Sequence, residues 1–184
     1  MTQKKKRLSK EEWLRKALIL LARSGESQIR IDRLTSALGV TKGSFYWHFK
    51  SRADFVSQLV DYWDRRFTRI VPENLADDHS SAKNRLLRLM EMVYDLNSTR
   101  FDLAIRSWAT HEPGIAKRVR KVDRFRSTFV RSLFEEMGFE GDELDVRTRA
   151  FVTFISLESS LFARISKSEI RRQLIARHAF FTRP

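Results

Sequence analysis

Apolar side chains recur three and four residues apart along most of this chain, and residues that would interrupt a helix are scarce, with 3 prolines and 6 glycines in 184 residues. That spacing gathers apolar groups on one face of an α-helix, whereas a half-buried strand needs strict alternation, of which there is no sustained run. An all-α protein follows. The stripes are Trp13, Ala17, Leu18 and Leu21; then Val56, Leu59, Val60, Trp63, Phe67 and Ile70; then Leu86, Leu89, Met90 and Val93. Further on come Phe101, Ala104, Ile105 and Trp108, and a long series of Ile115, Val119, Val122, Phe125, Phe129 and Leu133. After Gly138, Leu144, Ala150, Phe151, Phe154, Leu157, Leu161 and Ile165 mark one helix, and Ile170, Leu174, Ile175, His178 and Phe181 another.

Charge is spread unevenly. The chain carries 36 Lys and Arg against 23 Asp and Glu, and up to Arg52 there are 13 of the cations but only 4 of the acids. A basic amino-terminal module, about Lys4 to Ile70, therefore precedes a nearly balanced helical body, and the expected partner is a polyanion, with double-stranded DNA ahead of an anionic membrane. Pro72, Asn74, Asp77, Asp78 and two serines predict a boundary loop from Val71 to Ser80. Lys4 to Arg7 read as a basic arm, because charged Lys10, Glu11, Glu12, Arg15 and Lys16 stand where a signal peptide would be apolar. No apolar run approaches the roughly 20 residues of a membrane-spanning helix. The absence of cysteine excludes disulfides, thiolate zinc sites and a cysteine nucleophile, and suits a reducing cytoplasm. His48, His79, His111 and His178 are scattered, and the chain has no zinc-protease helix, phosphate loop or serine elbow. No catalytic residue, metal ligand or cofactor is assigned.

The first helix is expected from the cap Ser9, with Glu11 and Glu12 in its first turn, to Gly25. Ile31 to Leu38 and Thr41 to Phe49 read as two short helices joined by a tight turn at Gly39, the second capped by Thr41. Phe45 and Phe49, four apart, form the inward pair of that second helix. Trp47 points the other way, flanked by Gly43 and Ser44, with Tyr46 and His48 at the edges. Two helices in this relation let the second enter a DNA major groove. Lys42, Tyr46, His48, Lys50 and Arg52 are then placed for phosphate contact, and Thr41, Gly43, Ser44 and Trp47 for base edges.

The run Leu34, Ala37 to Thr41, Lys42-Gly43-Ser44-Phe45-Tyr46-Trp47-His48-Phe49 and Lys50-Ser51-Arg52-Ala53-Asp54-Phe55 resembles the DNA-binding domain of TetR-type transcriptional regulators, most strongly over Glu12 to Ile70. Two positions depart from the pattern: Arg30 and Ile31 stand where the family often has Thr or Ser to open the second helix, leaving its cap to Asp32, and Arg52 replaces a common Lys. The resemblance implies a three-helix helix-turn-helix domain over 9–55, with its motif at 30–49 and the arm at 1–8. It implies a helical ligand-binding and dimerisation domain over 56–184. It further implies a homodimer built on the last two helices, a near-palindromic operator, and repression relieved by a small molecule. Phe151, Leu161, Leu174 and His178 are expected at the dimer interface.

For the ligand pocket the same resemblance selects Trp63, Phe67, Tyr94, Phe101, Trp108, Phe129, Phe154 and Glu158, with Met90, Ile105 and Phe125 as further walls. Core packing is the simpler role for any one of these aromatics, and an ion pair is as good a role for Glu158. Asp102 and Arg106, spaced i, i+4, are expected to pair with each other on a helix surface. An alternative to a ligand-controlled regulator is a sequence-tolerant architectural DNA-binding protein using the same basic module.

Overall fold

A computed structural model of the chain describes residues 8–161 and 166–183, without the side chains of 159–161 and 167. The arm at Lys4 to Arg7, the Leu161 side chain and Ile165 lie outside the described residues. Among the described residues there is no strand. The helices are α1 (Lys10–Ser24), α2 (Ile31–Leu38), α3 (Lys42–His48), α4 (Arg52–Asp64), α5 (Ile70–Leu75), α6 (Ala82–Leu96), α7 (Thr99–Ala109), α8 (Pro113–Glu136), α9 (Gly141–Leu161) and α10 (Lys167–Thr182).

Five helix starts are set by a hydroxyl at the N-cap, which takes an otherwise unpartnered N–H. Ser9 and Glu12 form a reciprocal box, Glu12 N–H donating to Ser9 Oγ at 3.2 Å and Ser9 N–H to Glu12 Oε2 at 2.7 Å. Thr41, Ser51, Ser81 and Ser166 cap α3, α4, α6 and α10 in the same way. α2 lacks such a cap, as do α5, α7 and α8: Arg30 occupies its N-cap without a side-chain bond. The expected cap Asp32 sits inside the first turn and pairs instead with Lys42.

The expected loop from Val71 to Ser80 is corrected. The chain beyond Asp64 stays helical through a π-wound stretch, Arg65–Arg69, directly into α5, so the helical path ends only at Leu75. Pro72 lies within α5 and has no N–H for the carbonyl four residues back, which belongs to Thr68. A local change of helical winding accommodates that missing bond and the proline ring without ending the helix.

Two apolar cores form. The first joins α1 to α4 with α7 and the first half of α8, through Trp13, Phe45, Phe49, Phe55, Trp63, Ile105, Trp108 and Val119. The second joins α5, α6, the end of α8, α9 and α10, through Leu86, Met90, Phe134, Phe151, Leu174 and Phe181. The first core runs through residue 56, so α1 and α4 rest directly on α7 and α8. Ala150, expected on the inner stripe of α9, faces outward.

Asp102 is the second correction. It is 2% exposed and does not pair with Arg106. Its Oδ1 accepts from Trp63 Nε1 at 2.7 Å, and Arg126 forks onto both of its oxygens. Arg126 also donates to Thr68 Oγ1 from Nε at 3.0 Å and Nη2 at 2.7 Å. Arg106 is taken by Asp123 of α8. The reason is directional: Asp102 follows Phe101 into the interior, where a carboxylate persists only if cations and donors surround it. The cluster ties α4, the π-wound stretch, α7 and α8 together. Asp102→Ala strands a largely buried guanidinium and should cost about 3–5 kcal/mol, read as a lowered midpoint in urea denaturation.

Candidate nucleic-acid interface

The α2–α3 pair is built by one turn and one aromatic nest. Gly39 closes α2 in the left-handed region, φ 64° and ψ 34°, a conformation that costs glycine nothing. α3 then starts at Thr41, whose Oγ1 accepts from Ser44 N–H at 3.2 Å. Phe45 and Phe49 are 0% and 1% exposed and meet Trp13 edge-on at 5.8 and 6.1 Å, with Phe55 closing the nest at 5.4 and 4.8 Å. Anchoring α3 along that edge turns the opposite face outward. Trp47 is 81% exposed and Tyr46 58%.

Around Trp47, Thr41, Lys42, Gly43, Lys50 and Arg52 are exposed, and Ser44 and His48 are half-buried. All nine residues singled out in the sequence thus lie on α3 or within four residues of its ends. Their commitments differ. Lys42 pairs with Asp32, whose hydrogen bond and charge raise the lysine pKa. Arg52 reaches back from Nε to the Ile29 carbonyl at 3.4 Å. His48 donates from Nε2 to the Leu8 carbonyl at 2.9 Å, an accepting oxygen that requires the proton on that nitrogen. Leu8 itself is buried in the first core, so His48 fixes the segment leading into α1.

Gly43 carries an informative absence. A Cβ built there would meet only Thr41 Oγ1, at 3.8 Å, so nothing within the chain requires glycine in this helical position. An α-helix of seven residues would be more stable with alanine.

In the body, a cavity of about 60 Å³ lies among α5, α6, α7, α8, α9 and the π-wound stretch. Phe67, Phe125 and Phe129 line it, as do Thr68, Ser98, Asp102, Arg126, Phe151 and Ser156. Trp63, Phe101 and Trp108 are instead packed in the first core. Tyr94, Phe154 and Glu158 gather elsewhere, around Arg177. Its guanidinium donates to Glu158 Oε2 at 2.5 Å and to Tyr94 Oη at 2.7 Å, and lies 5.4 Å from the Phe154 ring. Burial first, then the Glu158 charge, pushes the Tyr94 phenol up to about 12.

The expected dimer residues need correction. Phe151 is 0% exposed and Leu174 6%, both packed within the subunit's own second core. His178 is half-buried and donates from Nε2 to the Lys83 carbonyl at 2.8 Å. The outward apolar groups of α9 and α10 are Val146, Ile175 and Phe180, 65%, 63% and 76% exposed. Stripe spacing in the sequence is blind to which of two apolar faces turns inward. Val146, between Asp145 and Arg147, belongs to no stripe.

Comparison with known proteins agrees with this geometry. Residues 14–59 match the pattern of "Bacterial regulatory proteins, tetR family". The transcriptional regulator AcuR of Cereibacter sphaeroides is 32% identical over 86 residues, which are 47% of this chain and 39% of AcuR's length. A TetR-family transcriptional regulator from Rhodococcus sp. superposes with a TM-score of 0.73 at 18% identity, over 95% of this chain and 99% of that one. A transcriptional regulator from Saccharomonospora viridis, solved in complex with choline, superposes with a TM-score of 0.68 at 22% identity, over 91% and 93%. The likeness to these two structures is one of fold. The chain is a helix-turn-helix protein. Its amino-terminal domain, over residues 14–59, is similar to that of the tetR family of bacterial regulatory proteins.

The inward and outward faces of α3 make opposite predictions for stability. Phe45→Ala should cost about 3–5 kcal/mol, whereas Trp47→Ala should stay within about 0.5 kcal/mol of the parent. Urea midpoints of the two variants check both.

Proposed function

We propose that the protein is a homodimeric, sequence-specific regulator that represses transcription from the bacterial cytoplasm by occupying a near-palindromic operator and is released by a small molecule. The observation that carries the reading is the face of α3: two large aromatics and a helical glycine stand in solvent, while Phe45 and Phe49 hold the helix from behind. A face made for water alone would carry Glu and Lys there. Lys42, Tyr46, His48, Lys50 and Arg52 position the helix on phosphates, and Thr41, Gly43, Ser44 and Trp47 meet base edges. Gly43 lets the backbone approach the groove without a methyl group in the way. His48, already bonded to the Leu8 carbonyl, serves best by fixing the start of α1 beside α3.

Dimerisation through α9 and α10 is supported by Val146, Ile175 and Phe180, which leave large apolar groups in solvent on adjacent helices. An unpartnered face of that kind marks an interaction surface. Two copies joined there present two α3 helices to successive major grooves, about 34–36 Å apart on B-DNA. Effector control is supported by the body cavity and by the choline held by a regulator of the same fold. A ligand acts only by binding one arrangement of the dimer better than the other.

Selection of bound sequences from a random DNA library at physiological salt tests the proposal. The expected product is a near-palindrome with half-sites about one turn apart; a featureless pool would contradict the regulator and favour an architectural DNA-binding protein. Gly43→Ala should leave the chain as stable as the parent or up to about 1 kcal/mol more so, and yet weaken binding to the selected site. Undiminished binding by that variant would remove α3 from the groove.

A further inference from the structure

The cations of α8 divide by partner. Arg118 is held by Asp61, Arg126 by Asp102, and Arg131 by Glu135 and Asp145. The remaining four, Lys117, Arg120, Lys121 and Arg124, are exposed, and among the described residues no acid pairs with any of them. Their spacing is i, i+3, i+4 and i+7, which puts them on one helical face, the face turned away from Ile115, Val119 and Val122 in the first core. Asp123, the one acid of α8 before Glu135, holds Arg106 of α7 instead. Lys117 and Lys121 are four residues apart, as are Arg120 and Arg124, and like charges so placed weaken a helix. A face suited to water alone intersperses both signs. The nearly balanced total charge of the body thus conceals one face of a single sign.

The bonds between α8 and α4 fix where that face lies. Arg118 donates to the Ser57 carbonyl at 3.2 Å and to Ser57 Oγ at 2.9 Å, and Arg126 donates to Thr68 Oγ1 at 2.7 Å. The earlier residue of α8 meets the earlier residue of the α4 path, and the later meets the later, so the two run in the same direction. Pro113, the start of α8, is five residues before Arg118, and Arg52, the start of α4, is five before Ser57. At ~1.5 Å per residue both helices begin about 7.5 Å from this contact, at the same end. Lys50 and Arg52, assigned to phosphates, stand at that end.

We propose that the stripe Lys117, Arg120, Lys121 and Arg124 is a second DNA contact, which binds phosphates of the duplex flanking an operator half-site. This rests on the reading of α3 as the helix in the groove. Four unpaired cations on one face fit a polyanion, and α8 begins at the end of α4 that docking of α3 brings to DNA. Contacts of this kind carry no base sequence; they add affinity and widen the footprint beyond the bases that α3 meets. Lys117 is nearest the start of α8 and Arg124 farthest, about 6 and about 17 Å along the axis, so the contribution falls along the stripe.

Salt-dependent binding to two duplexes carrying the selected operator tests this, one ending at its half-sites and one extended by about one helical turn on each side. The parent should bind the extended duplex at least about tenfold more tightly, with a salt slope steeper by about two units, since each neutralised phosphate adds about 0.9 and a dimer has two stripes. Lys117→Ala, Arg120→Ala, Lys121→Ala and Arg124→Ala combined should erase both differences, and keep affinity for the short duplex within about threefold of the parent, because salt screens distant charge. Circular dichroism verifies that this variant folds, and the single variants decide the matter if it does not. Lys117→Ala alone should lose more of the extended-duplex slope than Arg124→Ala, although each removes one charge. Equal losses overturn the proposal, as does a parent indifferent to duplex length or a combined variant that retains the parent's preference. Phosphatidylglycerol vesicles that retain the parent but not the combined variant, with the preference for longer DNA unchanged, assign the stripe to a membrane and overturn it too. If selection returns no operator, a mixed-sequence duplex of about 40 bp serves: a slope lowered by about two units in the combined variant keeps the stripe on DNA while the sequence-specific reading falls, and an unchanged slope removes the stripe.

Discussion

A helix of seven residues has almost no stability of its own, because nucleation costs more than so few hydrogen bonds return. α3 exists because Phe45 and Phe49 are driven into a nest made by Trp13 of α1 and Phe55 of α4. The apolar area those two rings remove from water far exceeds what the other six residues of α3 contribute. Everything on the outer face follows from that anchorage. With the inner edge fixed, Trp47 and Tyr46 have nowhere to go but outward, and Gly39 supplies the sharp turn that brings α2 alongside.

The same economy joins this module to the body. The first core does not stop at the end of α3 but continues through Trp63 into α7 and α8, and the Asp102–Arg126–Thr68 cluster fastens the path leaving α4 to both. A buried ion pair of this type adds little net stability over an apolar packing of equal volume, but it is costly to break halfway. It therefore acts as a geometric specification, fixing how α4 crosses α7 and α8. The cavity opens directly on that cluster, so an occupant and the α4 crossing share the same side chains.

Much of this was legible in the sequence where a local rule decides the outcome. Ser9, Thr41 and Gly39 announce their positions because capping and left-handed turns depend on one residue type at one place. Phe45 and Trp47 fall on opposite faces by periodicity alone. The failures share a different cause. Whether Asp102 turns toward Arg106 on its own helix or toward Arg126 on another is settled by tertiary packing, since both cations lie within reach of a carboxylate. Phe151 and Leu174 are as apolar as Val146 and Ile175, and only the assembled bundle decides which pair is enclosed. Pro72 signals a helix end in isolation, yet the π-wound turn before it lets the helix continue. The cavity lining suffered similarly: Thr68 and Ser156 carry no sequence signal of their own.

Docking of the exposed face of α3 into DNA can be read from the tryptophans without altering the chain. Trp13 and Trp63 are 0% exposed and Trp108 3%, against 81% for Trp47, so acrylamide should quench emission almost entirely from Trp47. Saturating the protein with its selected operator duplex should abolish that quenchable fraction. Quenching that persists undiminished in the bound complex would place Trp47 in water and α3 outside the groove.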